Sequence, residues 1–177
     1  MPNDFNTVKV KITHQIAHLL LNRPDKLNAI NSVMLTELSE TIDDLAKNKE
    51  TKCLIISGEG KKAFSAGADL TDLQKLTPEM AKKLSIKGKQ VFSKIENMSK
   101  PVLAKINGYA LGGGLELALV CDFRVASVES QFGLPEVKLG LVPGWGGTVR
   151  LPLIVGTKIS NRLIKSGDYI NAKQALR

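Results

Sequence analysis

Polar and apolar positions alternate near the start of the chain. Val8, Val10 and Ile12 interleave with Lys9 and Lys11, and after Thr13-His14-Gln15 an apolar run covers residues 16–21. This pattern predicts a β-hairpin with one wet face. Residues 22–31, holding Arg23-Pro24-Asp25, read as a turn or loop. Met34, Leu35, Leu38, Ile42 and Leu45 then recur at helical spacing behind an Asn31 or Ser32 cap. Cys53-Leu54-Ile55-Ile56, closed by Ser57-Gly58, is a short buried strand. A β-unit, a helix and a buried strand in that order predict a crossover connection and a partly parallel sheet.

Further along the elements shorten. Thr77 with Pro78 and Glu79 behind it opens a second helix reaching about Met98. Residues 64–69 form a small-residue turn after a strand, and 101–106 form a strand broken at Asn107-Gly108. Gly112-Gly113-Gly114 leads into an apolar helix over 115–120, and 123–126 is the next strand. A glycine- and proline-rich loop region then gives way to helices over 149–155 and 159–165. Asn171 caps a last helix over 172–177 that has neither a glycine cap nor a stop signal. The expectation is one core domain over 1–177, cut short at its C-terminus, whose final helices lack apolar partners.

Composition narrows the class. With 177 residues, 43% apolar and 24% charged, the chain suits one globular domain and not a disordered one. No apolar run approaches the ~18 residues that cross a bilayer, and residues 1–10 are too polar for a signal peptide. Cys53 and Cys121 lack CxxC spacing, which fits a reducing compartment and a cytoplasmic location. The net charge of +8 admits a phosphate-bearing ligand. RNA binding through the Lys-rich stretch 77–105 is the competing class. Scarce Arg, and Phe92 as the lone aromatic among those lysines, count against it.

Two carboxylates stand out. Glu116 sits in the apolar helix after the glycine triplet, and Glu136 follows Gly133-Leu134-Pro135. An acid in apolar surroundings is costly unless it is paired or used, and burial raises its pKa toward the general acid–base range. Each alone reads best as a satisfied surface acid, but both beside glycine-rich backbone read as functional. The glycines also permit close ligand approach, and the first amides of a helix lack internal partners, so a developing negative charge would be stabilised there. The chain has no GxxxxGK[ST] loop, GxGxxG fingerprint or GxSxG elbow. His14 and His18 read as hairpin residues rather than metal ligands, and Trp145 reads as a packing plug.

Residues 101–118, with Gly112-Gly113-Gly114-Leu115-Glu116, resemble the signature of the crotonase superfamily, the enoyl-CoA hydratases and isomerases. Gln131-Phe132-Gly133-Leu134-Pro135-Glu136, residues 140–148, Asn22-Arg23-Pro24 with Leu27-Asn28-Ala29, and residues 63–69 extend the likeness over nearly the whole chain. The resemblance implies an α/β fold, a spiral of ββα units with stacked sheets flanked by helices. It implies an acyl-CoA substrate and an oxyanion hole from the amides of Ala68 and Gly113. Glu116 would be the base toward water and Glu136 the donor to the α-carbon of an enoyl-CoA. Lys26, Ala29, Ala66, Asp69 and Leu70 would line the CoA and acyl site. No metal or other cofactor is expected, since the enolate is stabilised electrostatically. A homotrimer or dimer of trimers is expected. A Δ3,Δ2-enoyl-CoA isomerase using Glu136 is the nearest alternative.

Overall fold

In the computed structural model, which describes residues 5–177, the expected hairpin forms from β1 (Val8–Thr13) and β2 (Ile16–Leu21). Ala17, Leu19 and Leu21 face the core while Lys9 and Lys11 stay in water. Helix α1 (Ser32–Lys47) begins where the Asn31 side chain accepts the Met34 amide. Its stripe of Met34, Leu35, Leu38, Ile42 and Leu45 is fully buried, each side chain contributing about 1.5–3 kcal/mol. Glu37, buried on the same helix, accepts the Thr7 and Val8 amides at 2.8 and 3.1 Å and so pins the entry to β1.

β3 (Cys53–Gly58) returns parallel to β2, as the crossover requires. β5 (Val102–Ile106) and β7 (Phe123–Ala126) extend the same sheet in the order β1-β2-β3-β5-β7. Between these strands the chain visits a second sheet: β4 (Ala63–Ser65), β6 (Tyr109–Leu111), β8 (Gln131–Gly133) and β9 (Tyr169–Asn171), in that order. Sequence pattern leaves 109–111, 131–133 and 169–171 in turns and loops. Three residues hold too little alternation to register, and their hydrogen bonds come from distant strands.

Strand pairs β3-β4, β5-β6 and β7-β8 each send the first strand to the larger sheet and the second to the smaller. Helices follow each pair: α2 (Leu70–Leu73) and α3 (Pro78–Glu96), then α4 (Gly113–Leu119), then a 3₁₀ turn (Pro135–Leu139) and α5 (Gly147–Ser166). The result is a mixed α/β spiral of ββα units with helices flanking the sheets. Helix α4 starts two residues earlier than expected, because Gly112 turns the chain at φ 50°. Helix α5 is one run broken at Gly156 (φ 77°, ψ 160°), which separates the two expected helices. The last helix, α6 (Ala172–Ala175), is shorter than expected and is held by a reciprocal cap between Asn171 and Gln174.

Gly88 lies inside α3, where glycine costs roughly 1 kcal/mol relative to alanine. A β-carbon there would overlap the indole of Trp145, which also meets Phe92 edge-on with ring centroids 5.4 Å apart. Outside the core, Phe123 and Val125 on β7 and Val149 and Leu153 on α5 are exposed. No helix among the described residues is long and apolar enough to cross a membrane.

Candidate active site

Beyond β4 and β6, two loops face each other. Residues 66–69 are laced to 27–30: the Ala66 N–H donates to the Leu27 carbonyl (2.9 Å), the Ile30 N–H to Gly67 (2.7 Å) and the Asp69 N–H to Ile30 (3.0 Å). Asn28, buried at φ 54°, ties the second strap down, accepting from the Arg23 amide (2.9 Å) and donating to the Ala63 carbonyl (2.8 Å). On the other loop the Gly112 N–H donates to the Gly133 carbonyl (2.9 Å) and the chain turns into α4. The N–H groups of Ala68 and Gly113 find no acceptor among the described residues. They are neighbours: a β-carbon built on Gly113 would stand 3.5 Å from the Ala68 nitrogen, and one on Gly67 3.0 Å from the Gly113 nitrogen. Two free amides at this spacing can hold one anionic oxygen.

Glu116, in the first turn of α4, is 1% exposed. Its Oε1 accepts the Trp145 N–H at 2.8 Å and the Gly147 N–H at 2.7 Å. Burial pushes its pKa up, while the two amides and the Arg150 charge pull it back. Arg150 donates twice to Glu96, at 2.8 and 2.7 Å, and once to the Trp145 carbonyl at 3.0 Å, so it staples the 144–147 loop to α3. Glu136 sits in the 3₁₀ turn behind Pro135. Burial raises its pKa, its own amide lowers it and the Glu116 charge raises it further, to about 7. Its Oε2 is buried without a hydrogen-bond partner among the described residues. A readily protonated carboxyl on Glu136 therefore accompanies a Glu116 carboxyl whose Oε1 is braced by two amides.

Both glutamates open on one cavity of about 320 Å³, which Ala66, Ala68, Leu70 and Gly113 also line. Asp69 lies on the adjoining cavity of about 450 Å³. There it caps α2 through the Thr71 amide (3.0 Å) and pairs with Arg23 (2.8 Å). Lys26 and Ala29 line neither: Lys26 is exposed on the 3₁₀ turn Pro24–Lys26, and the Ala29 carbonyl accepts from Arg23 at 2.6 Å. Trp145 packs as a plug, as expected, but also lines the cavity that holds the glutamates. Sequence pattern does not reveal the amides of Trp145 and Gly147 or the bracing by Arg23 and Arg150. Gly144-Trp145-Gly146-Gly147 was the one available signal, because backbone donors leave no trace in side-chain pattern. His14 is exposed in the hairpin turn and His18 half-buried in β2, and no His/Cys/Asp/Glu cluster suited to a metal occurs among the described residues.

Residues 11–177 match the family model described as enoyl-CoA hydratase/isomerase. A crotonyl-CoA hydratase of Syntrophomonas wolfei is 42% identical over 173 residues, covering 98% of this chain and 66% of that protein. A short-chain-enoyl-CoA hydratase of Clostridium acetobutylicum is 41% identical over 174 residues, covering 98% of this chain and 67% of that protein. The solved enoyl-CoA hydratase of Bacillus anthracis superposes with a TM-score of 0.93 at 36% identity, over 96% of this chain and 66% of that one. The chain thus spans about two thirds of the length of these relatives.

Proposed function

Because the chain belongs to the enoyl-CoA hydratase/isomerase family, we propose that its cavity adds water across the double bond of a trans-2-enoyl-CoA thioester. The observation that carries this reading is the pair of carboxyls, buried Glu116 and half-buried Glu136, on one cavity with two amides that find no acceptor among the described residues. In the proposed reaction the thioester oxygen accepts from the Ala68 and Gly113 N–H groups, which draws electron density from the β-carbon. Glu116 removes a proton from water as the oxygen bonds to that carbon. The C=C electrons move to form an enolate, whose oxygen the amides hold, and Glu136 delivers its proton to the α-carbon. The Glu116 proton then returns Glu136 to its acid form by way of water, so atoms and charge balance.

Ala66, Asp69 and Leu70, with backbone near Lys26 and Ala29, are assigned to the CoA and acyl portions of the ligand. The two relatives named for crotonyl-CoA and short-chain substrates support a short acyl group. The exposed apolar side chains of β7 and α5 support self-association, and the assembly proposed is a homotrimer or a dimer of trimers. The unpaired Cys53 and Cys121 support a reducing, cytoplasmic setting.

The deciding experiment follows loss of the conjugated-thioester absorbance of enoyl-CoA esters with the parent chain, Glu116→Gln and Glu136→Gln. Each variant is expected to lose hydration by about 10²–10⁴-fold while still binding the ester. Near-full hydration by Glu116→Gln overturns the two-carboxylate reaction. Loss of hydration with double-bond migration retained assigns the site to isomerase chemistry instead.

A further inference from the structure

Trp145 is held more firmly than a plug needs to be. The residue is 4% exposed and lines the cavity that holds both glutamates. The six-membered edge lies against Gly113 and the pyrrole nitrogen against Gly88 of α3, so closely that a β-carbon on either glycine would overlap the ring. Phe92 stands edge-on at 5.4 Å. The residue's own backbone is fixed at both ends, its N–H on Glu116 (2.8 Å) and its carbonyl on Arg150 (3.0 Å). The ring is thus packed against Gly113, Gly88 and Phe92.

We infer that the Trp145 indole sets the acyl-chain length the cavity accepts, limiting it to short, straight chains. This rests on the reading of the cavity as an acyl-CoA site. A thioester oxygen placed between the Ala68 and Gly113 amides puts the α- and β-carbons beside Glu136 and Glu116. Trp145 lines the same cavity as Glu116 and donates its N–H to it, and we place the carbons beyond the β-position against the indole. The cavity lining also includes Leu84, Leu139, Leu141 and Val142, aliphatic side chains more adaptable than the packed indole. Gly88 is the other half of the device, since its missing β-carbon is the room the ring occupies. The chamber of about 320 Å³ is at the small end for a ligand site.

The test compares crotonyl-, 2-hexenoyl- and 2-decenoyl-CoA as substrates, and butyryl- and decanoyl-CoA as calorimetric ligands, on the parent chain, Trp145→Ala and Trp145→Leu. The parent chain is expected to favour the four-carbon over the ten-carbon ester by about tenfold or more in kcat/KM. Both variants should narrow that ratio at least about tenfold, chiefly through a lower KM for the longer ester. Gly88→Ala should lower crotonyl-CoA turnover by pressing the ring into the chamber, and adding Trp145→Ala should relieve that loss. An unchanged ratio in a folded variant overturns the inference, as does a parent chain indifferent to length. Should one variant fail to fold, the other, with the Gly88 pair, decides. Chain-length-dependent affinity without turnover would retire the hydratase reading and leave this one standing. Absence of binding by every ester overturns both.

Discussion

At the scale of single residues, the two glutamates differ in what their oxygens touch. Glu116 has two amides on Oε1, whereas Glu136 has a buried oxygen with no partner among the described residues. Glu136, raised to about 7 mainly by burial, must be protonated to act as an acid, so kcat/KM is expected to fall as pH rises through about 7. Glu116, also raised, mainly by burial, must be ionised to act as the proposed base, so the rate is expected to fall again as pH drops through its raised folded-state value. The profile should be bell-shaped, and a pH-rate series on the free enzyme checks it. Arg23 and Asp69 offer a stability counterpart. Burial opposes ionisation of Asp69, but Arg23 and the Thr71 amide more than offset it, so its pKa is lowered. That stabilisation is present above the ordinary aspartate value and is lost as pH falls through the folded-state value. Arg23→Gln should therefore cost about 1–3 kcal/mol at neutral pH, and the gap should narrow in acid to what the pH-independent bond to the Ala29 carbonyl contributes, as thermal melts across pH would record.

Among the elements, α4 is placed by glycine. A β-carbon on Gly114 would overlap the Ser65 carbonyl of β4, so Gly114→Ala has to push the helix away from that strand. Because Gly113 precedes it and Ala68 follows β4, the two free amides should part. Hydration should drop by about 10²–10³, the loss usual for one oxyanion donor, and steady-state kinetics should place it in kcat more than in KM. The same region shows what a sequence can and cannot tell. The hairpin and helices α1 and α3 were legible, because a stripe such as Met34, Leu35, Leu38 and Ile42 repeats often enough to show its period. Glu116 and Glu136 were legible because charge is costly among apolar neighbours. Strands β6, β8 and β9 were not, since each is three residues whose pairing is decided by chain far away. The amides that brace Glu116 were invisible for a different reason: any residue type carries one.

For the molecule as a whole, exposed Phe123, Val125, Val149 and Leu153 compete with a net charge of +8. Apolar surface of this kind favours association, and like charge opposes it. Added salt screens the charge but not the apolar term, so self-association should strengthen with ionic strength in sedimentation velocity. Dissociation by salt would mean that ion pairs hold the assembly instead. The alternation of the chain between two sheets carries a consequence for folding. Ala68 belongs to the β3-β4 unit, Gly113 and Glu116 to β5-β6, and Glu136, Trp145 and Gly147 to β7-β8. No segment made early on a ribosome owns a working site, and no fragment formed in a refolding tube does either. Turnover should therefore reappear only with the slowest refolding phase, while helical signal returns sooner, so catalysis is a clock for the last step of assembly.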